Sequence, residues 1–543
     1  MTQVPAYVQS VRGDVCRVHF SIKKALLWSF SFIGLLLLIQ FIVGLNTSPI
    51  VWGDDGVSLS RELWEHIYAL RGMFERYIYW MLALYVLLAA LVIFLEEQNP
   101  DRAIIWLGIL LFFPFLGLIA YVLIGPDVRS AAQRWRVHKM VRRRPHNHQQ
   151  KNHSDHTDLS KTSSLERLLA ATCEAVPTTR NEVKMLLNGP ETFECIEKAL
   201  CSAQDNIHME YFSFASDELG TRIKDLLVDR ARAGVQVRLL YDSVGSWHLG
   251  RECIQEMRIA GVEVFPFMPM AFARFRSSVN HRDHRKILVV DGRLGFLGGL
   301  NIGDTYMGKN PKIGNWRDTH VEIRGDAVRE LDRAFLYHWE QCTGQCMDIC
   351  GLSYAPTSEI ENTPVQIATS GAGKDFRAIA DGYHYMISSA RKRIWITTPY
   401  LVPGGSISTA LAVAAKSGVD VRIIIPSKAD HRLVFWASQF NVDQLLRNGV
   451  RIFSYKDGFV HAKTMVADGE IVSVGTTNLD VRSLEINHEI QAFIHSRDVA
   501  LDFERAFLDD TAKSEEETIE KRSSRPFYKK LQGAIGRLAS SLL

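Results

Sequence analysis

The chain has 543 residues, enough for roughly three to four domains. Lys and Arg total 63 against 60 Asp and Glu, a formal net charge of +3 that argues against a bulk nucleic-acid binder. Eight cysteines in so long a chain exclude a disulfide scaffold.

After an N-terminal tail (1–24) come three uncharged apolar runs, at 25–45, 77–95 and 103–125. A helix needs ~20 apolar residues to cross a bilayer, so each run is long enough to span. The last two read as a transmembrane hairpin (77–125), separated from the first by a connecting segment (46–76). The short turn at 96–102 carries Glu96, Glu97 and Asp101 against Arg102, whereas eight Lys and Arg lie between Arg129 and Lys151. Positive-inside reasoning therefore puts everything after residue 126 in the cytoplasm, with the basic run against anionic headgroups. Arg12, Arg17, Lys23 and Lys24 ask for a cytoplasmic N-terminus as well, which leaves open whether 25–45 spans. A basic juxtamembrane segment and polar linker follow (126–185). Four histidines within 145–158 lack the rigid support of a metal site.

From about residue 186 an alternating α/β pattern repeats. GVQVRLLYD (234–242) and AGVEVF (260–265) are answered by GVDVRIIIP (418–426) and NGVRIF (448–453). Each copy then carries the same motif. In the first, His284 and Lys286 precede four apolar residues, Asp291-Gly292, a glycine pair and Asn301. In the second, His461 and Lys463 lead to Asp468-Gly469, Gly475 and Asn478, and His-to-Asn is 17 residues in both. On a strand, positions i and i+2 share a face, so each His projects with its Lys. Asp-Gly is a hairpin turn signal, and the returning strand brings Asn301 and Asn478 toward the histidines.

Two such hairpins facing one another predict a metal-free phosphate site built on His284, Lys286, His461 and Lys463, with Asn301 and Asn478 as phosphate ligands. Lys and Asn would hold the non-bridging oxygens. One imidazole would attack phosphorus while the other, protonated, donates to the leaving oxygen. Asp291 and Asp468 complete the motif in this catalytic set, and their turn positions favour a supporting role. An attacking imidazole needs its far N–H held by an acceptor. Each half offers one: Asp318, 34 residues after His284, and Glu489, 28 residues after His461.

HRKILVVDG and HAKTMVADG are the paired motif of the phospholipase D superfamily, and the wider chain resembles the bacterial cardiolipin synthases. Segments at 99–125, 280–306, 316–320 (WRDTH), 397–406 (TTPYLVPGGS), 417–431 and 461–490 carry the resemblance, over roughly residues 75–543. It implies an α/β fold class: N-terminal transmembrane helices followed by two phospholipase D-like α/β/α repeats, 186–355 and 356–515, with a shared active site at their interface. It implies transfer of a phosphatidyl group from one phosphatidylglycerol through a phosphohistidine to a second, with release of glycerol and no cofactor or metal. By the same analogy His284 is the nucleophile and His461 the general acid, then base; the pseudo-symmetry leaves that order open.

The expected partners are phosphatidylglycerol and anionic membrane lipid, with no nucleic acid; homo-oligomerisation is left open. The expected location is the bacterial inner membrane, multi-pass, with a cytoplasmic catalytic domain. Apolar Phe527, Leu531, Ile535, Leu538 and Leu542 at helical spacing among lysines make the tail (516–543) an amphipathic helix for the membrane surface or the domain. His338, Cys342, Cys346 and Cys350 recur on one helix face, which cannot close a tetrahedron around zinc. The rival readings are a phospholipase D-type hydrolase, another phosphatidyltransferase or nuclease of the superfamily, and a catalytically dead membrane anchor.

Overall fold

The computed structural model describes residues 163–268, 282–311, 313–345, 362–371 and 377–540, together with 100–113, Gly117 and four isolated positions between Trp80 and Leu91. The chain divides into two compact units, Met1–Gln133 and Arg134–Leu543. In the first, helix α1 (Pro100–Phe112) has 13 residues, about 20 Å at 1.5 Å per residue. Among the described residues no helix is long and apolar enough to cross a membrane. Run 25–45 lies outside the described residues, as do most of 77–95 and the second half of 103–125.

The second unit holds two α/β repeats. Strands of the first are β1 (Asn181–Leu187), β2 (Asn206–Tyr211), β3 (Gln236–Asp242), β4 (Glu263–Phe267), β5 (Lys286–Val290), β6 (Leu294–Gly298), β7 (Trp316–Arg317) and β8 (Thr319–Gly325), followed by helix α2 (Asp326–Thr343). The second has β9 (Val365–Thr369), β10 (Arg393–Thr397), β11 (Leu401–Val402), β12 (Asp420–Pro426), helix α3 (Arg432–Leu446), β13 (Arg451–Tyr455), β14 (Phe459–Val460), β15 (Thr464–Ala467), β16 (Ile471–Gly475), β17 (Leu479–Asp480), the short helix α4 (Val481–Glu485) and β18 (Ile490–His495). β19 (Ser514–Glu517) and helix α5 (Phe527–Ser540) close the chain.

The two main sheets have one topology. Their orders are β1-β8-β6-β5-β2-β3-β4 and β9-β18-β16-β15-β10-β12-β13, and the second adds β19 beyond β13. In both, the parallel strands rise from helix–strand units and the motif hairpin joins them antiparallel. The duplicated sequence pattern is thus a duplicated fold. The hairpin strands are apolar on both faces: all five residues of β5 (KILVV) are buried, as expected for a strand covered on both sides. Ile287, Val289, Leu297 and Val321 of the first repeat share one apolar layer with Val466, Val472, Val474 and Ile490 of the second. That layer holds the two hairpins together.

Caps define the helices between strands. Asp217 accepts from the Gly220 N–H to start Glu218–Arg232, and Ser496 accepts from Val499 to start Arg497–Ala512, each satisfying an orphan donor of the first turn.

Candidate active site

Each motif hairpin turns on an Asp-Gly pair in left-handed backbone, with φ of 52° and 58° at Asp291 and Gly292, and 54° and 69° at Asp468 and Gly469. The carboxylates explain why Asp tolerates the strain. Asp291 accepts from the backbone N–H groups of Gln204, Asp205 and Asn206. Asp468 accepts from those of Arg391, Lys392 and Arg393. Each clamps the start of the neighbouring strand to the hairpin. β5 separates Asp291 from Lys286 by about 16 Å at ~3.3 Å per residue. The structure therefore corrects the placing of Asp291 and Asp468 among catalytic groups: they are turn and clamp residues at the far end of the hairpin.

At the near end the two repeats exchange carboxylates. His284 Nδ1 lies 3.0 Å from Glu489 Oε2, and His461 Nδ1 lies 2.8 Å from Asp318 Oδ2. Each histidine is oriented by the acid of the other repeat, rather than by the one that follows it in sequence. Backbone pairing across the interface sets this up. The His284 N–H donates to the His488 carbonyl, and His488 N–H donates to Arg282. Likewise β14 runs parallel to β7, and the His461 N–H donates to the Arg317 carbonyl at 2.7 Å. The carboxylate in question is the residue after His488 in one case and after Arg317 in the other.

Both lysines are buried, at 0% and 1% exposure. Lys286 Nζ donates to the His284 carbonyl at 2.7 Å, and Lys463 Nζ donates to that of His461 and stands 3.0 Å from His461 Nε2. Burial pushes Lys286 down to about 7 and Lys463 to about 8, against the pull of Glu489 and Asp318. Burial also lowers both histidines to about 4. Burial would raise Glu489 and Asp318, but the cations beside them prevail and both stay below the ordinary carboxylate value. The resting site thus pairs neutral imidazoles with ionised carboxylates. Each histidine also feels the lysine of the opposite repeat, so the two motifs form one electrostatic site.

Asn301 Oδ1 accepts from the Ser213 N–H, and its Nδ2 donates to the Tyr306 hydroxyl. Asn478 Oδ1 is buried without a hydrogen-bond partner among the described residues, an acceptor left over for a ligand. Four further groups surround the carboxylates, none of them assigned a role from sequence. Thr476 donates to Glu489 Oε2 at 2.6 Å. Trp316 Nε1 donates to Asp318 Oδ2, and its ring lies 5.0 Å from that of His461. His320 and Gln491 are equivalents: their side chains accept from the N–H groups of Leu300 and Thr477 beneath the site. The His-to-Asn spacing aligns Thr476 with Gly299, which could have drawn attention to it.

One group among the described residues could hold a cation: Glu210, Asp283 and His338 have ligating atoms within 4.8 Å of one another. It lies on the other face of the His284 strand, and His338 Nδ1 and Arg285 already engage Glu210 Oε1 at 2.7 and 3.7 Å. Cys346 and Cys350 lie outside the described residues.

Comparison with known proteins places this geometry. Residues 196–339 and 383–511 match the family model of the cardiolipin synthase, phospholipase D-like domain, and residues 83–126 match that of the phospholipase D-nuclease N-terminal segment. The chain belongs to the cardiolipin synthase family. A cardiolipin synthase of Bacillus anthracis is 39% identical over 83% of this chain and 89% of its own. One of Geobacillus kaustophilus is 38% identical over 90% of this chain and 97% of its own, and the major cardiolipin synthase of Bacillus subtilis 37% over 84% and 97%. The crystal structure of phosphatidylserine synthase from Haemophilus influenzae has a TM-score of 0.53 at 14% identity, covering 70% of this chain and 99% of its own, a likeness of fold. Membership makes this chain a phosphatidyltransferase, and the α/β repeats are the family's two phospholipase D-like halves.

Proposed function

We propose that the enzyme makes cardiolipin and glycerol from two phosphatidylglycerols through a covalent phosphohistidine. The observation that carries the reading is the pair of neutral imidazoles, each fixed by a carboxylate of the opposite repeat over two buried lysines. His284 Nε2 attacks the phosphorus of the first lipid while protonated His461 donates to the departing glycerol oxygen. A P–N bond forms as the P–O bond breaks. His461 then takes the proton from a hydroxyl of the second lipid, whose oxygen displaces His284 and restores a phosphodiester. One diester replaces another, so no energy source is required. An arriving phosphate anion supports the proton that His461 must carry, because its charge favours the imidazolium. Lys286, Lys463, Asn301 and Asn478 hold the non-bridging oxygens, and Glu489 and Asp318 hold the imidazoles in the reactive tautomer.

The apolar runs 77–95 and 103–125 anchor the chain in the inner membrane as a multi-pass protein, and the basic segment after residue 126 keeps the repeats cytoplasmic. Helix α5 adds a surface contact. Gly536 meets Trp436 and Ala437 of α3 so closely that a Cβ would clash, while Phe527, Tyr528 and Leu531 remain exposed beside Lys529 and Lys530. That outward face suits an anionic lipid surface.

The test is incubation of the purified protein in detergent micelles with phosphatidylglycerol alone, followed by mass spectrometry. Cardiolipin and glycerol in equal amounts are expected. Phosphatidic acid with glycerol would mean that water is the acceptor and the enzyme a phospholipase. His284→Ala and His461→Ala are each expected to abolish turnover, and substantial activity in either would sink the two-histidine mechanism.

A further inference from the structure

The segment leading into β5 is extended and pairs with the second repeat through an Asp283–His488 bridge, so its side chains alternate. Asp283 and Arg285 face Glu210 and His338. Arg282, His284 and Lys286 therefore share the other face, the face of the reaction, at ~6.6 Å steps.

Arg282 is 5% exposed, and none of its three guanidinium nitrogens has a hydrogen-bond partner among the described residues. Asp242 stands 3.6 Å away. Its oxygens, however, are spent on backbone: Oδ1 accepts from Val244 and Gly245, and Oδ2 from Asp283. A buried guanidinium with five idle donors is costly unless a ligand engages them. Arg482, on α4 of the second repeat, lies within electrostatic reach of Arg282, and Asp480, Asp242 and Glu489 are the counter-charges around it. A fork of donors beside a second cation suits a phosphodiester. The other motif lacks this feature: the residue two before His461 is Phe459, buried and packed 5.1 Å from the Trp316 ring. The pseudo-twofold is broken at this position: among the described residues the second motif has no counterpart of the Arg282 guanidinium.

The donor phosphate already has two lysines and two asparagines. We propose that Arg282, with Arg482 beside it, forms a second anion subsite that takes the phosphodiester of the lipid supplying the hydroxyl. This inference rests on the phosphatidyl-transfer reading above and selects its second substrate: an alcohol carrying its own phosphate, in preference to water or a neutral alcohol.

Acceptor competition in the full-length enzyme tests it. Phosphatidylglycerol in micelles is the donor and one acceptor, ethanol is the neutral competitor, and the ratio of cardiolipin to phosphatidylethanol is read by mass spectrometry. Arg282→Gln is expected to lower that ratio at least tenfold, and Arg282→Lys to recover part of it. A purely structural role would depress both products together, and an unchanged ratio in Arg282→Gln would overturn the subsite. Should that variant fail to fold, Arg482→Gln is read by the same ratio with the same two outcomes. Absence of both products from the unsubstituted enzyme would overturn the transfer reading, and the subsite with it.

Discussion

The histidines depend on groups that sequence distance hides. Glu489 is 205 residues from His284, and Asp318 is 143 from His461. Replacing either carboxylate by its amide keeps the volume and removes the charge that selects the tautomer. Glu489→Gln and Asp318→Asn are expected to lower kcat by ~10²–10⁴ with the fold intact. The measurement is cardiolipin formation alongside the thermal unfolding midpoint. The titrating groups also set a pH profile. Burial holds both imidazoles at about 4, so each stays neutral well below the ordinary histidine value as acid is added. In the other direction Lys286 and Lys463 lose their protons near about 7 and about 8, so phosphate binding weakens as pH rises through that window. kcat/KM measured across this range should decline on the alkaline side from about 7. An alkaline limb appearing only near the ordinary lysine value would contradict the burial of these amines.

At the scale of the element, the hairpin is a positioning device. Its strands and turn were legible as an i, i+2 pattern ending in Asp-Gly, because face alternation and left-handed turns are local properties of the backbone. The roles of the glycines were not. A Cβ on Gly299 would come 2.2 Å from Asp318 Oδ1, and one on Gly298 would come 2.3 Å from His320 Nδ1. These glycines let Asp318 and the start of β8 press against the hairpin beneath His461. Gly299→Ala should therefore push Asp318 off the histidine and lower kcat at least about tenfold, by the loss of an oriented carboxylate; a fully active variant would show that Asp318 is not needed there. The turns behave differently. Asp291→Ala removes a three-donor clamp from a left-handed position and should destabilise the domain by ~1–3 kcal/mol, read as a fall in Tm.

For the whole molecule, the catalytic unit is the pair of repeats. A chain ending at residue 355 keeps His284 and Lys286 but loses Glu489, so it should show no turnover. Co-expression of 356–543 should restore cardiolipin formation if the shared apolar layer assembles in trans. Duplication, the motif hairpins and the placing of each histidine beside its lysine could be read from residue pattern, since periodicity and turn chemistry act within a few residues. The carboxylate exchange, the support from Thr476 and Trp316, the clamp role of Asp291 and Asp468, and the burial of the Arg282 guanidinium could not. The carboxylate exchange joins residues 205 and 143 apart, and the clamps join residues 75–87 apart, so both depend on how the common core presses distant segments together. No local pattern encodes which strand will lie beside which, and the chemistry of this site depends on that pairing.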